Sequence, residues 1–107
     1  MFIPFFVRVD NMLHSIKPED VVCLQMKENY LHIYLTNRKP LVVRSTLTDA
    51  LSKLPDSIFI KTHRSFAVSI LFMDKIERYN LVVGKKDIPI ARNLYNHVLD
   101  QLVILGD

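Results

Sequence analysis

The chain has 107 residues, 50% hydrophobic and 23% charged, with 14 Lys and Arg against 11 Asp and Glu and only 2 Gly and 5 Pro. This describes one domain, 1–107, able to bury a core without disulfides or metal, and it excludes disordered, collagen-like and linker-type chains. No apolar run approaches the roughly 20 residues that span a bilayer, the N-terminal stretch lacks the flanks of a signal peptide, and the lone Cys23 suits a reducing compartment, so a cytoplasmic protein is expected.

The charge is unevenly spread. Residues 27–64 carry seven bases (Lys27, Arg38, Lys39, Arg44, Lys53, Lys61 and Arg64) against three acids, and 78–92 carry four bases against Asp87 alone. A net charge of +3 gives mild support for an anionic partner, and equally describes a solvated basic surface.

Taken in chain order, the elements are mostly short strands rich in Val, Ile, Phe and Tyr. They are expected at 5–9, 13–16, 21–27, 30–35 and 41–44. In 30–35 the alternation puts Leu31, Ile33 and Leu35 on one face and Tyr30, His32 and Tyr34 on the other. Lys27-Glu28-Asn29 reads as a hairpin turn, with Asn29 tolerating left-handed backbone. Thr46-Leu47-Thr48-Asp49 resembles a capping box opening a short helix that Pro55 stops. Further strands are expected at 59–62, 66–68, 73–78, 81–83 and 87–90, with Gly84 turning between the last two. A second helix begins near Asn93 and aligns Leu94, Val98 and Leu102. Many short strands with two brief helices make a mainly β domain.

Catalytic chemistry finds little support. His14, His32, His63 and His97 lack zinc-ligand spacing, Gly84 and Gly106 form no phosphate loop, and Cys23 lies in a strand as a small hydrophobe. Ser65, His63 and Asp74 make a weak hydrolase trio with nothing to specify an oxyanion hole. No enzyme, metal or cofactor is expected.

One segment stands out. Phe59 to Ser69 places a polar His63-Arg64-Ser65 corner between two apolar strands, and Ile88-Pro89-Ile90-Ala91-Arg92-Asn93 ends another strand in an arginine at a loop-to-helix junction. With Asp20-Val21, Asn29-Tyr30 and Arg44-Ser45-Thr46-Leu47 before them, these motifs resemble, in order and spacing, the LytTR family of LytR/AgrA-like DNA-binding domains of bacterial response regulators. The resemblance runs from about Phe6 to Leu102. Three positions depart from the family pattern: Lys61 replaces an arginine, Ser69 an asparagine and Ala91 a serine. No receiver domain accompanies the motifs, so any phosphorylation control is expected to come from another segment or another protein.

The resemblance implies an elongated stack of small antiparallel β-sheets with two short helices, and a bacterial transcription regulator. It implies binding of duplex DNA through loops that enter successive major grooves, and the small size of one module adds the expectation of a tandem, direct-repeat site. Carried over by position, base contacts fall to Asn29, Arg64 and Arg92. Backbone contacts fall to Lys27, Arg44, Lys61, His63, Lys85, Lys86 and Asn93. The physics agrees: arginine presents paired donors to guanine O6 and N7, asparagine pairs with adenine, and a cation suits the narrow groove. Arg92, between a proline-fixed strand and a helix start, is the strongest reader. His63 is as well suited to bonding its own backbone. Glu28 either accepts from cytosine N4 or lowers affinity. A receiver domain or a second copy is a further possible partner. The competing reading is a small β protein-interaction or RNA-binding domain on the same basic face, with Tyr30 and Tyr34 stacking bases.

Overall fold

A computed structural model describes residues 2–106. Ten strands form three antiparallel sheets. Strands β1 (Phe5–Val9) and β2 (Met12–Ile16) make a hairpin, turned by Asp10 and Asn11, both at positive φ as a two-residue turn of the primed type requires. Next come β3 (Val21–Lys27), β4 (Tyr30–Leu35) and β5 (Leu41–Val43). They join β6 (Phe59–His63) and β7 (Phe66–Ser69) in a five-stranded sheet of order β5-β4-β3-β7-β6. The third sheet is β10-β9-β8, from β8 (Lys75–Glu77), β9 (Asn80–Val83) and β10 (Lys86–Pro89).

The alternation of β4 explains the layering. Leu31, Ile33 and Leu35 are buried on one face of the central sheet, where Val21, Leu24, Phe59 and Ala67 join Val7 and Ile16 of the β1–β2 hairpin. Helix α1 (Leu47–Lys53) closes this core through Leu47, Ala50 and Leu51, and the Thr46 hydroxyl caps it by accepting from the Asp49 amide at 3.0 Å. A bulge between Val21 and Cys23 shifts the alternation, so Cys23 turns to the opposite face with Ile60 and Val68. There Leu81, Val83, Ile88 and Ile90 of the third sheet and Val98 of α2 (Tyr95–Asp100) complete a second core. The central sheet is thus shared by two cores, and the molecule is elongated, 50 × 31 × 26 Å. The mainly β, stacked-sheet expectation holds.

Several boundaries differ from expectation. The strand expected at 73–78 shrinks to Lys75–Glu77, because the Met73 amide donates to the Ile70 carbonyl at 3.4 Å and closes a 3-10 turn at Ile70–Phe72, whose Leu71 amide donates to Ser69 Oγ, while Arg78 turns at positive φ. Another 3-10 turn occupies Pro18–Asp20, with proline at its start. The second helix begins at Tyr95 rather than near Asn93, since Arg92–Leu94 forms a 3-10 turn entered from Ala91, which supplies no side-chain cap. In the β3–β4 turn the left-handed residue is Glu28, φ 56°, and not Asn29. Pairing of Lys27 with Tyr30 makes Glu28 the first of two turn residues, the position where this hairpin needs positive φ.

Candidate nucleic-acid interface

Register decides which turns share an end. Lys27 pairs with Tyr30, Leu31 with Val43, and Gln25 with Phe66. The Glu28–Asn29 tip, Arg44 just beyond β5 and the Arg64–Ser65 corner therefore emerge at the same end of the central sheet. The Met26 amide donates to the Ser65 carbonyl at 2.9 Å and ties corner to hairpin across the β3–β7 seam. On the far side, the Ala91 amide donates to the Thr62 carbonyl at 2.8 Å, laying Ala91–Asn93 along the free edge of β6. Lys61, His63, Arg64, Asn93 and Leu94 consequently line one shallow hollow.

The result is a row of turn tips: Arg44, Glu28–Asn29, Arg64–Ser65, then Arg92–Asn93. At 4.7–4.9 Å between strands, hairpin tip and corner stand roughly 10 Å apart, and hairpin tip and Arg92 loop roughly 17 Å. Arg44, Lys27, Asn29, Arg64, Arg92 and Asn93 are all exposed. No ion pair links any of these cations to a carboxylate among the described residues.

Individual side chains are held differently. His63 Nδ1 accepts from the Ser65 amide at 3.2 Å, which fixes the corner and leaves Nε2 to carry the ring proton of the neutral form. Its ring also meets Phe66 edge-on, with centroids 6.0 Å apart. Arg92 lies over the Tyr79 ring, with Cζ 5.0 Å from the centroid. Tyr79 in turn packs edge-on against Tyr95 at 5.2 Å. The Arg78–Tyr79 turn between β8 and β9 reaches this end because Glu77 pairs with Asn80 and Asn80 with Pro89. Sequence reasoning counted Arg78 among the bases and gave it no role; the sheet order that carries it beside Arg92 has no local signal.

Other candidates lie elsewhere. Lys86 is half-buried, its Nζ 3.8 Å from the Tyr34 ring centroid, and Tyr34 sits five residues, about 17 Å of strand, behind Asn29 at the hairpin tip. Lys85 flanks it in the β9–β10 turn, where Gly84 has φ 61°. The same contact covers Tyr34, whose hydroxyl donates to Gln25 Oε1 at 3.2 Å, so no open row of aromatic rings runs down β4. Asp74 accepts from the Gly84 amide at this rear end, so the Ser65–His63–Asp74 trio is not assembled. Cys23 is buried, and loss of solvation pushes its thiol up to about 11, with Lys86 pulling weakly the other way.

Comparison with known proteins bears on the family and the fold. Residues 11–102 match the family model of the LytTr DNA-binding domain. The chain is 22% identical over 102 residues to the sensory transduction protein LytT of Enterococcus faecalis, a match covering 90% of the chain and 42% of that protein. The chain thus spans about two fifths of the length of this curated relative. Its fold is similar to that of a LytTr DNA-binding domain from a methyl-accepting/DNA response regulator of Bacillus cereus. The TM-score is 0.77 at 15% identity, over 92% of this chain and 94% of that one.

Proposed function

The chain belongs to the LytTr DNA-binding domain family, and from that premise we propose that its row of turn tips reads duplex DNA across one minor groove. The observation that carries this reading is the common edge shared by the Glu28–Asn29 tip, the Arg64–Ser65 corner and the Ala91–Asn93 loop. A span of roughly 17 Å exceeds the minor-groove width of about 6 Å. It falls short of the full helical turn of about 34 Å between major-groove centres. Asn29 and Arg92 accordingly enter the facing edges of neighbouring major grooves, and Arg64 lies over the minor groove between them.

In this arrangement Arg92 presents two parallel donors to guanine, and Asn29 pairs with adenine. Arg64 adds a cation where narrowing of the groove strengthens the negative potential. Lys27, Arg44, Lys61, His63 and Asn93 take phosphates along the same edge and set the register without reading sequence. Lys85 and Lys86, set back from the row, meet phosphate only where the duplex bends around the body of the domain. One module makes few base contacts, so specificity is completed by two copies on direct repeats, and the biological role is transcription regulation at such sites. The covered ring of Tyr34 favours duplex DNA over single-stranded RNA, which needs open stacking surfaces.

The test is a salt titration of duplex binding. With about 4–6 phosphates neutralised, log K falls against log salt with a slope of roughly −4 to −5, and a tandem site binds more tightly than a single one. A flat salt dependence, or a preference for single-stranded RNA over duplex in competition, overturns the reading.

A further inference from the structure

The β8–β9 turn has two features that the interface described above does not use. Arg78 is exposed at φ 52°, in a left-handed conformation uncommon for a long side chain. It has no carboxylate within ion-pair distance among the described residues, since its neighbour Glu77 is held by Lys75 at 3.4 Å. Tyr79 is 42% exposed, yet one face of its ring is covered by the Arg92 guanidinium. The turn is fixed to the loop it serves: the Ile90 amide donates to the Tyr79 carbonyl at 2.8 Å, two residues before Arg92. Tyr95, half-buried against the second core, braces the ring from the side.

We propose that Arg78–Tyr79 is a further DNA-contacting turn, in which the Tyr79 ring positions the Arg92 guanidinium and Arg78 takes a phosphate beside the groove that Arg92 enters. The inference rests on the interface reading above and extends it onto the third sheet. A guanidinium lying over an aromatic face keeps its in-plane N–H donors free, so the contact holds the plane of Arg92 without using the edge that meets guanine. It also limits the rotamers of a long exposed side chain before DNA arrives, which lowers the ordering cost of binding. Arg78 adjoins the ring on which Arg92 rests, so the contacts extend from the central sheet onto the third. Its exposure and lack of a carboxylate partner suit a backbone contact, which needs charge and reach but no fixed geometry.

The experiment compares Tyr79→Ala, Tyr79→Leu, Tyr79→Phe and Arg78→Gln with the unaltered chain. Each is titrated against a preferred duplex and a random duplex at several salt concentrations, with thermal melting as the folding check. Tyr79→Ala and Tyr79→Leu reduce discrimination between the two duplexes by about 2–5-fold, the worth of a cation–π contact at a partly exposed site, and Tyr79→Phe restores it. Should Tyr79→Ala fail to fold, Tyr79→Leu, which keeps apolar bulk against Tyr95, decides the same question. Arg78→Gln weakens both duplexes alike and makes the salt slope shallower by about 0.9. Unchanged discrimination in Tyr79→Leu, or failure of Tyr79→Phe to restore it, removes the positioning role. An unchanged salt slope in Arg78→Gln removes the phosphate contact. If the unaltered chain itself binds duplex without salt dependence, it is the interface reading that fails, so the two failures are distinguishable.

Discussion

Replacing Glu28 separates backbone strain from charge at the contact edge. The residue is exposed and holds φ 56° as the first residue of the β3–β4 turn. Left-handed backbone costs an L-residue about 1–2 kcal/mol. Glycine escapes that cost but gives up roughly 0.5–1 kcal/mol through the greater freedom of its unfolded chain. Glu28→Gly therefore stabilises the fold by between zero and about 1.5 kcal/mol. The charge acts separately. A carboxylate about 7 Å from a phosphate is repelled by roughly 0.6 kcal/mol in a water-like dielectric, a factor of nearly three in affinity. Glu28→Gln removes that charge with the backbone unchanged, so it raises affinity for every duplex about threefold and shifts stability by less than about 0.5 kcal/mol. Glu28→Gly shows both effects. Thermal melts and anisotropy titrations on preferred and random duplexes measure the two separately. Selective weakening of the preferred site in Glu28→Gln refutes the repulsion argument and makes Glu28 a reader of cytosine N4. A loss of stability in Glu28→Gly refutes the strain argument.

Three further outcomes are expected. Arg92→Ala costs about 1–3 kcal/mol at the preferred site and relaxes base choice there, with stability lowered by no more than about 0.5–1 kcal/mol through loss of the Tyr79 contact; equal weakening of random DNA would instead make Arg92 a phosphate contact. Lys86→Ala lowers stability by about 0.5–1 kcal/mol through loss of the contact with Tyr34, which a melting curve detects as a fall of several degrees. Cys23 resists thiol reagents at neutral pH until the chain unfolds. Its thiol is raised from 9.0 to about 11, so the folded state favours the protonated form. That stabilising contribution is complete below pH 9 and is lost as pH rises through about 11, which melts across that window check.

Much of this architecture is legible in local sequence, because each piece has a local cause. The alternation of residues 30–35, the Asp10-Asn11 turn, the Thr46 cap and the position of Gly84 each place an element within a residue or two of where it lies. The misses are tertiary or concern short turns. Nothing in the sequence around Met73 and Asp74 sets them outside the strand until the Met73 amide is seen closing the Ile70–Phe72 turn. Nothing near Lys86 announces that its ammonium rests on Tyr34, 52 residues earlier in the chain. At the interface, the motifs select Asn29, Arg64 and Arg92, and pairing register explains why they share an edge. The Tyr79 contact depends on the order of strands in the third sheet, which no short motif encodes.

The seam between β3 and β7 joins the two halves of the chain, one bearing Asn29 and the other Arg64 and Arg92. Its pairing of Leu24 with Ala67 levels the tips, as the teeth of a comb are cut to one height. A slip of two residues would keep the same faces buried and withdraw one tooth by about 7 Å, out of reach of a groove floor. The pitch between teeth is set by main-chain hydrogen bonds and is indifferent to which side chains the turns carry. On the proposed reading, a domain built this way can change its vocabulary of bases by substitutions at Glu28–Asn29, at Arg64 or at Arg92 while the spacing of its reading heads stays constant.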